Sequence, residues 1–131
     1  MNPASLNAPV LLLARILLGI FFVMSGWGKL TAYAGTAGYM AMHGVPTIVL
    51  PLVILTELGG GLAIILGVFT RWAAIALAGF TILTALIFHN DLGDMNQYIN
   101  FMKNVTIAGG FLVLFTTGAG AFSVDQRLRG V

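Results

Sequence analysis

Two ionisable residues lie deep inside apolar stretches of this chain, Arg15 and Glu57. A charge at membrane depth is costly, so each needs a partner, a cavity or a role. Arg15 stands about seven residues into its stretch and Glu57 about eleven, or ~10 Å and ~16 Å deep at about 1.5 Å of rise per residue. An arginine side chain spans that offset, and its planar fork suits a carboxylate bidentately. The spacing therefore predicts an intramembrane ion pair between Arg15 and Glu57. Such a pair either fixes helix register or, because a desolvated carboxylate titrates abnormally, serves a proton-linked or ligand-binding site.

A second polar group gathers towards the opposite end of the same stretches. Lys29, His89, Lys103 and Asn104 fall at similar depth near the ends of three of them, and His43 and Tyr39 come from a connecting segment on that side. With Phe22 as a nearby ring, Lys29, His89, Lys103 and Asn104 form a candidate ligand or quinone site. A quinone carbonyl needs a hydrogen-bond donor, which His89 or Lys29 supplies. The plainer reading is a set of interfacial anchors. No metal site is expected, because the chain has no cysteine and only two histidines, and no ligand spacing, phosphate loop or catalytic triad occurs.

The elements that must carry these residues follow from composition. Of 131 residues, 59% are hydrophobic and 8% charged, against about 45–50% and about 25% in soluble domains. Mean hydropathy is +1.00. So few charges cannot cover a soluble surface, which excludes a water-soluble enzyme, a disordered chain and a fibrous repeat. The scattered basic residues form no nucleic-acid patch. Four apolar stretches, roughly 9–30, 46–68, 72–89 and 104–122, each approach the ~20 residues of a bilayer span. Helices satisfy their backbone internally, and four strands cannot close a barrel. The expected fold is all-α: a polytopic four-transmembrane-helix bundle, one domain over 1–131.

Residues 31–45 are too apolar for a solvated loop and too short to span, so a short interfacial or re-entrant segment is expected there. Arg15, Gly19, Phe22, Gly26 and Lys29 follow steps of three and four along one face. Gly19 and Gly26 permit close approach of another helix, as do Gly60 and Gly61 beside Glu57. The sequence Ala32-Tyr33-Ala34 looks like a cleavage site, but the preceding apolar run is too long for a signal peptide and is expected to be retained. Arg71, Arg127 and Arg129 against Lys29 and Lys103 place both termini in the cytoplasm.

The words of the sequence also resemble a known family. Gly26-Trp27-Gly28-Lys29-Leu30-Thr31, followed by Tyr33-Ala34-Gly35-Thr36, looks like the first-helix signature of the DoxX family, as does the upstream Arg15 with Leu18 and Gly19. The block Leu50 to Ile64, with Thr56-Glu57 and Gly59-Gly60-Gly61, resembles its second helix, and Phe88-His89 and Phe101-Met102-Lys103-Asn104 also match. The resemblance implies a bacterial inner-membrane protein, multi-pass, in a family linked to quinone oxidoreductases and oxidative stress. The function it implies is a redox-associated subunit, or a protein binding quinone or lipid without its own metal. Two alternatives stand beside it: a small proton-linked transporter or channel, and a non-catalytic scaffold subunit. The partners implied are the lipid bilayer and either a membrane oxidoreductase or further copies of the chain.

Overall fold

The computed structural model describes the backbone of residues 3–128 and the side chains of residues 6–128. Arg129, counted above in the charge balance, lies outside them. No strand occurs among the described residues. Helix α1 (Pro3–Thr31) is followed by a short α2 (Tyr33–Met42), which occupies the expected interfacial segment. The second span starts with a 3-10 turn (Thr47–Val49) behind Pro46 and continues through α3 (Leu50–Ile54). One π-helical turn (Leu55–Gly59) follows, and then α4 (Gly60–Leu66). Helices α5 (Thr70–Phe88), α6 (Met95–Thr117) and α7 (Val124–Leu128) complete the chain. Four segments, Leu6–Thr31, Thr47–Leu66, Thr70–Phe88 and Met95–Thr117, are long and apolar enough to cross a membrane.

The fourth span begins and ends earlier than its apolar stretch. Asp94 accepts hydrogen bonds from the amides of Asn96 (2.9 Å) and Gln97 (3.4 Å), which caps α6 two turns before the apolar run starts. Capping satisfies the free amides of a helix start whatever the polarity of the first turns. Gly118, with φ +73°, stops the helix before Phe122.

The bundle is a chain of neighbours: α1 packs on the second span, that span on α5, and α5 on α6, while α6 and α1 meet sparsely. The first crossing is close because it lacks side chains. A Cβ on Gly61 would lie 2.9 Å from the Gly19 carbonyl oxygen, and one on Gly26 would lie 2.8 Å from the Leu58 amide nitrogen. Phe22, Ile64, Leu77, Phe111 and Leu114 fill the core between the spans.

Arg15 does not pair with Glu57. Its side chain is buried, and it donates from Nε to the Ile64 carbonyl (3.1 Å), from Nη2 to Ile65 (2.9 Å) and from Nη1 to Ala119 (2.6 Å). Ile64 and Ile65 belong to the last turn of α4, which ends at Gly67 in the left-handed conformation. Carbonyls of a last turn have no partner within the helix and carry the negative end of its dipole. They lie nearer to Arg15 than Glu57 does, which is seven residues further along the span, ~10 Å of rise. The expected pair is thus replaced by a cap that joins α1, α4 and the segment after α6.

Removing this cap should be expensive. Arg15→Ala should destabilise the protein by more than about 3 kcal/mol, since each bond to a charged group contributes about 1.5–3 kcal/mol. Arg15→Lys should recover less than half of the loss, because an ammonium has no planar fork. In a double-mutant cycle followed by thermal melts in detergent, Arg15→Ala and Glu57→Ala should add to within about 0.5 kcal/mol. A larger coupling between them would contradict this geometry.

Candidate functional site

Glu57 lies on the π-helical turn, where one extra residue per turn shifts the side chains around the axis. Such turns often mark functional positions. The turn directs Glu57 towards α1, where it is 3% exposed. One helical turn beyond Gly26, Lys29 reaches across, and its Nζ stands 2.6 Å from Glu57 Oε1. The same Nζ donates to Ser25 Oγ at 2.7 Å. The contact with Glu57 is an ion pair without hydrogen-bond alignment, so Oε1 lacks an aligned donor. The carboxylate is therefore neutralised but incompletely hydrogen-bonded, which is costly for a buried group.

This ion pair borders a cavity of about 370 Å³ lined by α1, α2, the second span, α5 and Asn104 of α6. Four of the five residues expected at a ligand site line it together: Phe22, Lys29, His89 and Asn104. Lys103 does not, because the next position on α6 points about 100° away, and its side chain is exposed. Asn104 Nδ2 donates to the Thr81 carbonyl (3.1 Å) and to Thr84 Oγ1 (3.3 Å), which ties α6 to the cavity wall. Thr81 Oγ1 is buried with no hydrogen-bond partner.

Aromatic rings make up much of the remaining wall. Phe22 meets Phe111 edge-on at 5.5 Å, and Phe80 and Phe88 line the cavity from α5. Helix α2 closes one side through Thr36, Tyr39 and Met40. Tyr39 stacks on Phe88 with ring centres 5.3 Å apart, and His43 packs against both rings. Thr81, Thr84 and Phe80 were not among the candidates from sequence. Their only sequence signal is their position facing Asn104 on an adjacent span, which needs the register of α5 and α6 to be read.

The arrangement is a largely apolar, ring-walled pocket with polar side chains from α1, the second span, α5 and α6 in its wall. It can hold a flat, largely apolar molecule and fix one polar end. Phe21 and Leu83 line the cavity and are 57% and 55% exposed, so it reaches the lipid-facing surface.

Four spans around such a pocket define a small helical membrane protein with an internal site. Residues 10–90 match the DoxX family model, and the chain belongs to that family. It is 55% identical over 118 residues to the inner membrane protein YqjF of Escherichia coli (strain K12), covering 90% of this chain and 91% of that protein. It is 43% identical over 127 residues to the inner membrane protein YphA of the same organism, covering 91% of each. No solved structure matches.

Two outcomes test the site's electrostatics. Glu57→Ala and Lys29→Ala should each lower thermal stability, and their double-mutant cycle should show coupling of roughly 1 kcal/mol or more, as contacting residues do. Additive losses would separate the two side chains. His89, at the end of α5 outside the spans, has its pKa pushed down by burial and, secondly, by His43. The unfolded ring titrates near ~6.5, so below that pH the unfolded state binds more protons than the folded one. Stability contributed by neutral His89 should be complete above about pH 6.5 and fall as pH drops towards its lower folded pKa. His89→Gln should flatten the melting temperature between about pH 7 and about pH 5. An unchanged slope would contradict this.

Proposed function

We propose that this chain is an inner-membrane protein, both termini cytoplasmic, whose cavity binds a quinone or a similar ring-headed lipid as part of a redox-associated complex. The observation that carries this reading is the cavity itself. Its volume of about 370 Å³ falls within the about 300–1,000 Å³ of small-molecule sites. Its wall offers aromatic rings to a flat head group, and Lys29, Asn104 and His89 add polar atoms to it. Its reach to the lipid-facing surface past Phe21 and Leu83 suits a ligand dissolved in the bilayer. Membership of a family whose relatives are named inner membrane proteins supports the location. The retained redox role rests on the family resemblance, and the chain's own residues supply binding and orientation only. A proton-linked exchanger of cations fits less well, because Lys29 already neutralises Glu57.

Purification in mild detergent followed by organic extraction should recover quinone in near-stoichiometric amount. Titration of stripped protein with decylbenzoquinone should raise the melting temperature. At 100-fold excess over Kd the gain is about 2.7 kcal/mol. Phe22→Leu, which removes the ring but keeps most of its core volume, should weaken that shift severalfold. Absence of both extracted quinone and any shift would overturn the proposal.

A further inference from the structure

Within that reading, on which this inference rests, the unsatisfied atoms of the cavity specify which face of a ligand belongs there. We propose that the ligand presents a neutral hydroxyl hydrogen to Glu57, so that the site takes a hydroxylated ring, a phenol or diphenol on an apolar tail, in preference to the corresponding dione.

Three observations converge. Glu57 Oε1 is buried and has no aligned hydrogen-bond donor, although Lys29 Nζ is 2.6 Å away. Thr81 Oγ1 is likewise buried and unpartnered, and it belongs to another residue lining the same cavity. The amide of Asn104 is already committed to the Thr81 carbonyl and Thr84 Oγ1. The site therefore holds a carboxylate oxygen that only a donor can satisfy, beside a threonine hydroxyl that can either donate or accept. A dione carbonyl, which only accepts, leaves Glu57 as it is. A hydroxyl donates to the carboxylate and can accept from a Lys29 N–H not bound to Ser25, since the ammonium has three donors. Hydrogen bonds to a charged acceptor are among the stronger ones in a low-dielectric site.

The charge must also be neutral. Glu57 and Lys29 cancel, so a cationic head would leave an uncompensated positive charge beside an ammonium at membrane depth. Phe22, Phe80 and Phe88 on the wall favour a ring over a linear alcohol.

The test is calorimetric titration of the purified full chain in detergent with three probes. These are 4-decylphenol, which is inert to two-electron exchange with a dione, decylbenzoquinol under anaerobic conditions, and decylbenzoquinone. The phenol and the quinol should bind roughly ten- to a hundredfold more tightly than the dione, the range expected for one bond to a charged acceptor. Glu57→Gln should abolish or invert the preference, because its amide can donate to a carbonyl. If Glu57→Gln leaves too little folded protein, the double variant Lys29→Met with Glu57→Gln, which strands no charge, should show the same loss. Equal or tighter binding of the dione would overturn the donor assignment while leaving a ring-binding site. A preference for the hydroxylated probes that survives Glu57→Gln would overturn it too. Binding of none of the three would overturn this inference and the quinone-class reading together.

Discussion

Hydrocarbon offers a guanidinium no water, so a buried arginine can exist only where protein acceptors converge on it. Arg15 meets that demand with the carbonyls of Ile64, Ile65 and Ala119. Two of these are the loose ends of α4, which need donors as much as the arginine needs acceptors. One residue thereby fixes three segments that are far apart in sequence. It sets how far α1 slides along the second span, and it draws the chain after α6 back onto α1. Everything towards the other end of the bundle inherits that register.

The inheritance runs along the α1 seam. Gly19 faces Gly61 and Gly26 faces Leu58 at distances that leave no room for a Cβ. One turn further, Lys29 arrives opposite Glu57. The antiparallel crossing is thus fastened at both ends by charge, by a cap at one end and an ion pair at the other. Between them the glycines bring the backbones together. Because Arg15 is satisfied by carbonyls, Glu57 is left to Lys29, whose side chain is 30% exposed. The π-helical turn departs locally from regular helix where the carboxylate meets that seam.

The opposite end of the molecule is organised by a second long-range contact. Phe69 holds a left-handed conformation at φ 46° in the tight turn before α5, unusual for a side chain of its size. Asp125 stabilises it by accepting from the amides of Phe69 (2.7 Å) and Thr70 (2.9 Å), while its own amide donates to the Gly67 carbonyl (2.8 Å). The terminal helix α7 thereby caps the start of α5. The two ends of the bundle are therefore held differently: one by hydrogen bonds around Arg15 and Asp125, the other by the Lys29–Glu57 ion pair and the rings of α2.

Apolar length fixed the number of spans, because a bilayer imposes one helix length on any sequence that crosses it. The short segment between the first two spans was legible because it is too apolar for a solvated loop and too short to span. The face bearing Arg15, Gly19, Phe22, Gly26 and Lys29 was legible from spacing alone, since helical periodicity is local. Phe22, Lys29, His89 and Asn104 could be grouped by depth for the same reason. The pairing of the charges was decided only by the tertiary structure. Depth along two helices gives a sum of rises, but which carbonyl, lysine or arginine meets a carboxylate depends on where α4 stops and how closely two backbones approach. Gly67 ends α4 beside Arg15, and the glycine contacts carry Lys29 to Glu57. Neither is a property of the residues near Glu57 in sequence. The early start of α6 was hidden because the cap at Asp94 outweighs the polarity of the turns behind it. Thr81 entered the cavity only through the packing of α5 on α6, and a lone threonine in an apolar helix carries no signal of what it faces.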